Sequence, residues 1–90
     1  MSDIKKRFEL SAKMVKNLKV KPTDNELLKL YGLYKQTTGD CNTSRPSGML
    51  DFKEKTKWDS WNKYKGMKPE DAMTKYCDYV MILIEKYQVN

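Results

Sequence analysis

The sequence contains no histidine, and this absence narrows the chemistry that the chain can perform. The usual catalytic triads, imidazole acid–base catalysis and most zinc sites all depend on a histidine side chain. The two cysteines, Cys41 and Cys77, lie far apart and match no metal or redox spacing. We therefore expect no catalytic residues, no metal site and no enzymatic activity.

Long apolar runs are also absent. No stretch approaches the roughly 18 apolar residues that suggest a membrane span. The first residues lack an apolar signal region, and neither end carries a lipidation motif. These features predict a soluble, cytoplasmic protein in which both cysteines stay reduced. Cys77 falls on an apolar helix face, where we expect a small core residue.

The chain has 90 residues, which predicts one domain over 1–90, and its formal net charge is +6. A positive charge of this size favours anionic partners such as nucleic acids, acidic lipid surfaces or phosphorylated small molecules. The lysines are spread along every predicted helix instead of forming one tail. Part of this charge is therefore ordinary solvated helix surface.

Apolar residues recur at helical spacing in four segments, and no strand pattern is present. We predict helices at about 3–18, 24–38, 51–65 and 69–87. Thr23 and Glu26 form a capping box before the second helix, and Pro69 suits the first position of the fourth. Ser2 or Asp3 can cap the first helix, and Asp51 can cap the third.

The second helix has an apolar face too wide for a single neighbouring helix. One interpretation buries this helix between two partners, with Lys35 extending its charge to solvent. The other divides the face between a core side and a groove side. The core side would contain Leu30, Leu33 and Tyr34, and the groove side Leu27, Leu28, Tyr31 and Lys35. Tyrosines beside a lysine suit a ligand with a flat ring and a negative charge.

Three further residues have both a structural and a functional interpretation. Lys57 stands four residues before Trp61, which favours either a cation–π pair or a cation directed into a ligand site. Lys16 lies at the edge of the first helix's apolar stripe and is either a surface lysine or a ligand contact. Tyr76 is central on the fourth helix's apolar face and is either a core residue or part of a site.

Residues 39–50 form a long connection between the second and third helices. A short loop requires antiparallel neighbours, whereas a long one permits an overhand connection between parallel helices. The alternation of Asp40, Asn42 and Ser44 is similar to the start of a calcium loop. Arg45 stands where such a loop needs glycine, so this similarity fails.

Together these segments resemble the acyl-CoA-binding protein family over nearly the whole chain. The resemblance is carried by five blocks in order, which are Tyr31-x-x-Tyr34-Lys35-Gln36, Gly39-Asp40-x-Asn42-x-x-Arg45-Pro46, Gly48-Met49-Leu50-Asp51-Phe52-Lys53, Lys57-Trp58-Asp59-x-Trp61-Asn62 and Glu70-Asp71-Ala72-Met73-x-x-Tyr76. Two departures from the family pattern occur, one just before the loop and one within it. One residue fewer than expected separates Gln36 from Gly39, and Ser47 is additional before Gly48.

The resemblance implies an all-α, four-helix bundle of up-down-down-up topology, with the long overhand loop between helices two and three. It also implies a monomeric carrier that binds one long-chain acyl-CoA ester as its ligand, without a cofactor and without chemical change. Transient contact with membranes or with enzymes that use acyl-CoA is compatible with such a role.

The resemblance further implies which residues contact the ligand. The ligand-binding set is Lys16, Tyr31, Gly32, Leu33, Tyr34, Lys35, Lys53, Lys57 and Tyr76. Within this set, Tyr31, Lys35 and Lys57 match positions that hold the 3′-phosphate of CoA and the neighbouring ribose. Tyr76 matches a position that packs against the adenine of CoA. Ala12, Leu27 and Leu28 match positions that line the adenine or the acyl chain.

Two other classes of protein compete with this interpretation. A basic helical nucleic-acid binder would use the net charge together with Trp58 and Trp61. The lysines form no dense stripe on one helix, so we expect no nucleic-acid partner. An enzyme without histidine would need a lysine or a carboxylate pair in a cleft, and no spacing indicates one.

Overall fold

The computed structural model describes residues 3–48 and 52–89. Over these residues the chain forms four α-helices, which are α1 (Asp3–Met14), α2 (Asp24–Thr38), α3 (Phe52–Asn62) and α4 (Pro69–Tyr87). The bounds of α2 and α4 agree with the predicted segments 24–38 and 69–87. None of the helices in the described ranges combines the length and apolar character needed to cross a bilayer.

The first helix ends earlier than the predicted boundary at residue 18. The α-helix stops at Met14, and one 3₁₀ turn, Val15–Asn17, follows it. Leu18 is extended, with ψ at 141°, and forms an isolated antiparallel bridge with Val89. The Lys19 amide donates to the Gln88 carbonyl at 2.9 Å. Pairing with the C-terminal segment therefore overrides the helical periodicity. Ser2, the alternative cap, lies outside the described residues.

The third helix also ends before its predicted boundary at residue 65. After Asn62 the backbone continues in turns through Gly66, with the Tyr64 amide donating to the Trp61 carbonyl at 3.0 Å. Gly66 has a φ of +91°, which favours glycine, and its amide donates to Asp40 Oδ1 at 2.8 Å. This hydrogen bond to the Asp40 carboxylate of the loop holds the chain in a turn, and the helix ends before it. The predicted cap, Asp51, lies outside the described residues.

Contacts across the bundle give the helix directions. Lys57 Nζ lies 5.5 Å from the centre of the Tyr31 ring, and Lys35 Nζ lies 4.6 Å from the centre of the Trp61 ring. Tyr31 precedes Lys35 on α2, and their partners Lys57 and Trp61 follow in the same order on α3. The two helices are therefore parallel. Their parallel course requires the overhand connection that the length of segment 39–50 predicts.

The other two helix pairs complete the topology. Lys86 near the end of α4 contacts Glu26 near the start of α2, at 2.8 Å, so α2 and α4 are antiparallel. Arg7 lies 4.0 Å from Asp78, and Leu18 pairs with Val89, so α1 and α4 run in the same direction. The order is therefore up-down-down-up, as expected.

The core lies where α1, α2 and α4 meet. Its buried members are Phe8, Leu30, Leu33, Tyr76, Cys77, Val80 and Leu83. The expectation that Cys77 is a small core residue is confirmed, since its side chain is fully buried. The expectation that Tyr34 packs in the core is wrong, because this residue is 45% exposed. Its ring lies at the edge of the core instead.

Gly32 sets the distance between α2 and α3. A β-carbon built at this position would lie 2.5 Å from the Ser60 carbonyl oxygen and 3.0 Å from the Tyr64 ring. Real side chains do not tolerate contacts of this length to a backbone atom, so the two helices approach this closely only because residue 32 lacks a side chain. Gly32 thereby fixes the packing of the parallel pair.

Glu26 joins the start of α2 to the end of α4. The predicted capping box is present, with the Thr23 amide 2.8 Å from Glu26 Oε1 and the Glu26 amide 3.2 Å from Thr23 Oγ1. The same carboxylate accepts from Lys86 Nζ at 2.8 Å and from the Tyr87 hydroxyl at 2.6 Å. Lys86, Tyr87 and the Thr23 amide together lower the pKa of Glu26 to about 2.

Two tryptophans and an arginine anchor the overhand loop on α3. Trp58 Nε1 donates to Thr43 Oγ1 at 3.0 Å, and Trp61 Nε1 donates to the Gly39 carbonyl at 3.3 Å. The Arg45 guanidinium donates two hydrogen bonds to the Asp59 carboxylate, of 2.8 and 3.1 Å. These contacts give both tryptophans a structural role in holding the loop.

Asp40 anchors the start of the same loop. Its Oδ1 accepts from Gln36 Nε2 at 3.0 Å and from the Cys41 and Gly66 amides at 3.0 and 2.8 Å. The bond from Gln36, followed by those from the two amides, holds the pKa of the Asp40 carboxyl below its usual range. The same Gln36 nitrogen donates to the Met67 carbonyl at 2.7 Å, which links the loop to the start of α4.

Replacing Gly32 by alanine tests the close contact of α2 with α3. Alanine gains helix propensity of about 1 kcal/mol over glycine, but overpacking at a tight contact costs about 1–3 kcal/mol. We expect Gly32→Ala to lower the free energy of unfolding by roughly 1 kcal/mol in urea titration. Asn25→Ala, at an exposed position of α2, should be neutral or slightly stabilising. Equal stability of Gly32→Ala and the wild type would contradict the close contact.

Replacing Glu26 by glutamine tests the link between α2 and α4 through pH. The folded-state pKa of about 2 lies below the ordinary value of 4.5, so the carboxylate stabilises the fold above about pH 4.5 and loses this effect toward pH 2. We expect Glu26→Gln to be less stable than the wild type at pH 6, with the difference shrinking as the pH falls. Urea unfolding at a series of pH values measures this. Glu9→Gln, on the exposed side of α1, is the control, and a Glu26→Gln deficit independent of pH would contradict the charge-based link.

Candidate ligand-binding groove

An open groove of about 460 Å³ lies between α2 and α3. Its lining residues are Asp24, Leu27, Leu28, Phe52, Lys53, Thr56 and Lys57. The structure therefore brings together four of the residues expected to contact a ligand, namely Leu27, Leu28, Lys53 and Lys57. The parallel arrangement explains this, because the starts of both helices lie side by side.

One end of the groove exposes apolar surface to solvent. Leu27 is 36% exposed and Phe52 is 72% exposed, although both are large hydrophobic residues. Apolar side chains left open beside a concave surface are typical of a binding site. This end of the groove is therefore suited to an aliphatic chain.

Cationic and aromatic side chains continue along the same helix pair. The Lys57 ammonium lies over Tyr31, and Lys35 lies over Trp61. The spacing of Lys57 with Trp61 favoured either a cation–π pair or a cation directed into a ligand site. The ring that Lys57 reaches is Tyr31 on the neighbouring α2, so the first alternative is wrong about the partner. Lys57 also lies 3.8 Å from Glu54, an exposed ion pair of small energetic weight.

A cluster of three aromatic rings adjoins this cationic region. Tyr34 follows Tyr31 by three residues on α2, so the two lie on neighbouring parts of one face. The Tyr34 ring centre lies 5.6 Å from that of Phe8 and 6.1 Å from that of Tyr76. Phe8 and Tyr76 meet edge to face at 5.0 Å. The exposed side of Tyr34 presents this cluster to solvent as a surface on which a flat ring can stack.

The phenols of Tyr31 and Tyr76 stay protonated at neutral pH. Burial, followed by the charge of Glu54, raises the pKa of Tyr31. Burial, followed by Tyr34, raises the pKa of Tyr76 to about 12. Both hydroxyls therefore act as hydrogen-bond donors and add no negative charge. Together with the lysines, they make this part of the surface favourable to anions.

The remaining expected ligand contacts lie elsewhere. Gly32 is buried against Ser60, and Leu33 is a core residue, so packing accounts for both of them. Ala12 is half-buried against the core. Lys16 is exposed on the 3₁₀ turn after α1, and the described residues provide it with no ion pair or ring contact. Their contact with a ligand stays a prediction.

Sequence reasoning did not select four residues that the structure places at the site. Asp24, Phe52 and Thr56 line the groove, and Phe8 supports the aromatic cluster. The sequence indicates an ordinary core position for Phe8, because this residue belongs to the apolar stripe of α1. Its role in the aromatic cluster follows only from its contacts with Tyr34 on α2 and Tyr76 on α4. Across residues 3–48 and 52–89, no three metal-ligating side chains gather into a candidate metal site.

The fold and this surface define a class of protein: a four-helix bundle with an open groove, apolar at one end and cationic and aromatic beyond it. Residues 5–80 match the family described as acyl CoA binding protein. A curated relative from a species of Hypsibius, named as a putative acyl-CoA-binding protein, is 54% identical over 84 residues, 92% of this chain and 93% of the relative. The chain belongs to the acyl CoA binding protein family.

Solved structures agree with this assignment. The crystal structure of acyl-CoA-binding protein 2 from Oryza sativa superposes with a TM-score of 0.84 at 37% identity, covering 92% of this chain and 90% of that one. The protein from Moniliophthora perniciosa gives 0.82 at 37% identity, with coverages of 96% and 83%. The solution structure of the yeast acyl coenzyme A binding protein gives 0.69 at 45% identity, with coverages of 90% and 94%.

Proposed function

We propose that this protein binds one long-chain fatty acyl-CoA ester and acts as a monomeric cytoplasmic carrier and reservoir of these esters, without changing them chemically. Membership in the family supports acyl-CoA binding. The observation that carries the proposal furthest is the continuity of an apolar groove with cationic and aromatic side chains. A fatty acyl-CoA has the same order of parts, with an aliphatic tail joined to a phosphorylated nucleotide.

The apolar end of the groove is the proposed seat of the acyl chain. Leu27, Leu28 and Phe52 offer the apolar surface, and the stem of Lys53 extends it. Each buried methylene contributes roughly 0.8 kcal/mol, so affinity should rise with chain length until the groove is full. Covering the tail in this way would keep it from water during transfer between enzymes.

The cationic and aromatic side chains are the proposed seat of the CoA head. Lys35, Lys57 and the Tyr31 hydroxyl are the proposed partners of the 3′-phosphate, since charge-assisted hydrogen bonds are about twice as strong as neutral ones. The adenine would stack near Tyr34 and Tyr76, whose rings form part of one cluster. In the free protein Lys35 and Lys57 lie over rings and not against buried carboxylates, so a phosphate can recruit them at small cost.

Calorimetric titration tests the two-part site. Palmitoyl-CoA, free CoA and palmitate are titrated separately into the protein. We expect tight one-to-one binding of the ester, weaker binding of CoA and negligible binding of palmitate, because only the ester occupies both parts. Equal affinity for the ester and for CoA would remove the acyl groove from the proposal. No binding of the ester would overturn the proposed function.

Replacing Lys57 by alanine tests the phosphate contact. A hydrogen bond to a charged group contributes about 1.5–3 kcal/mol, so its removal should weaken palmitoyl-CoA binding roughly tenfold to a hundredfold. Folding should change little, since the ion pair with Glu54 is exposed. Titration calorimetry gives the affinity and urea unfolding the stability. Lys13→Ala, an exposed lysine of α1, should bind normally, and normal binding by Lys57→Ala would refute the phosphate contact.

A further inference from the structure

A second concave surface lies on the other side of α2, facing α4 and the turn after α3. One part is an open depression of about 310 Å³, and its lining residues are Lys29, Leu33, Tyr64, Lys75, Asp78, Tyr79 and Ile82. The adjoining part, of about 360 Å³, is lined by Asn25, Leu28, Lys29, Ser60, Lys63 and Tyr64. Lys29 and Tyr64 belong to both parts, so the two form one continuous surface, which we call the second cleft. It meets the acyl-chain groove only at Leu28.

The charge of the second cleft is positive. Three lysines, Lys29, Lys63 and Lys75, stand around it, whereas Asp78 is the only carboxylate among its lining residues. Asp78 faces Arg7 at 4.0 Å, so its charge is partly matched from α1. The described residues hold no carboxylate within ion-pair distance of any of the three lysines. An anion that enters the cleft would meet these three ammonium groups, of which Lys63 is also attracted to the Asp59 carboxylate beyond ion-pair distance.

Aromatic and apolar side chains form the walls. Lys29 Nζ lies 4.4 Å from the centre of the Tyr79 ring, which leaves this ammonium over an aromatic face. Leu33 forms part of the floor, and Ile82 is 58% exposed at the rim. These aromatic and apolar side chains form part of the lining, and charged or polar side chains form the rest.

The two tyrosine hydroxyls add donors to the ammonium groups. Within residues 3–48 and 52–89, neither the Tyr64 nor the Tyr79 hydroxyl has a hydrogen-bond partner. Burial raises the pKa of Tyr64, and burial followed by the charge of Glu26 raises the pKa of Tyr79. Glu26 itself is held by Lys86 and Tyr87 and does not line the cleft. Around the cleft, the three ammonium groups and the two phenols supply hydrogen-bond donors, and the Asp78 carboxylate is the one charged acceptor among the lining residues.

We propose that the second cleft binds a small organic anion with a flat ring, of the nucleotide class, at a site separate from the acyl-CoA groove. The negative group would sit among the ammonium groups of Lys29, Lys63 and Lys75. The flat ring would lie against Tyr64 or Tyr79. This site does not depend on the function proposed for the groove, since the two linings share one leucine and no charged residue.

Residue-resolved NMR titration of the ¹⁵N-labelled full chain with adenosine monophosphate tests this site. We expect saturable shifts at residues 29, 64, 75, 79 and 82. Adenosine lacks the charge and inorganic phosphate lacks the ring, so each should bind at least about tenfold more weakly at these residues. Lys29→Gln and Lys75→Gln should each weaken the binding roughly three- to fivefold, the scale of an exposed ion pair.

Lys13→Gln on α1 is the matched control for charge and should leave the binding curve at these residues unchanged. Shifts confined to the groove and its aromatic cluster (residues 31, 35, 57 and 76) would overturn the second site. A linear response without saturation would also overturn it, as would equal weakening by Lys13→Gln. Phosphate that binds as tightly as the nucleotide would overturn the role of the rings. Thermal unfolding of each variant shows that the fold is retained.

Discussion

The close contact between Gly32 and the Ser60 carbonyl is the constraint on which the binding surface depends. It lets the parallel helices α2 and α3 approach closely, and the side-chain pairings across the groove depend on this approach. Lys57 reaches Tyr31, and Lys35 reaches Trp61, because the two helices run side by side in one direction. A larger residue at position 32 would separate the backbones and change these pairings together. The site is thus a property of helix packing more than of any single ligand residue.

Parallel neighbouring helices need a long connection, and polar contacts stabilise it. Asp40 accepts from the amide of Cys41 in the loop and from the amide of Gly66 in the turn after α3. Arg45 pairs with Asp59, and two indole nitrogens donate to backbone carbonyls of the loop. At the opposite end, Glu26 joins α2 to α4. The apolar core therefore lies between two polar anchors. Leu27 and Phe52 lie outside this core and stay exposed at the groove.

The sequence predicted the features that local chemistry controls. The capping box at Thr23 and the proline at position 69 gave the starts of two helices, and apolar periodicity gave their faces. The ends of α1 and α3 were missed, since contacts with distant segments decide them. Leu18 pairs with Val89, and the Gly66 amide donates to Asp40. Neither contact can be read from the residues next to the helix end. The interpretation that divides the face of α2 assigned Tyr34 to the core side, because periodicity does not reveal which edge of a wide face stays open. Phe8 and the second cleft were missed for the same reason, since both arise where separate helices meet.

The most direct test of the central claim is the set of intermolecular nuclear Overhauser effects between bound palmitoyl-CoA and the isotope-labelled protein. The account predicts contacts from the acyl methylenes to the methyl groups of Leu27 and Leu28, and from the adenine protons to the rings of Tyr34 and Tyr76. It predicts no contact from the acyl chain to Ile82 in the second cleft. Acyl contacts to Ile82 with none to the two leucines, or adenine contacts remote from the aromatic cluster, would contradict the claim that the α2–α3 groove is the acyl-CoA site.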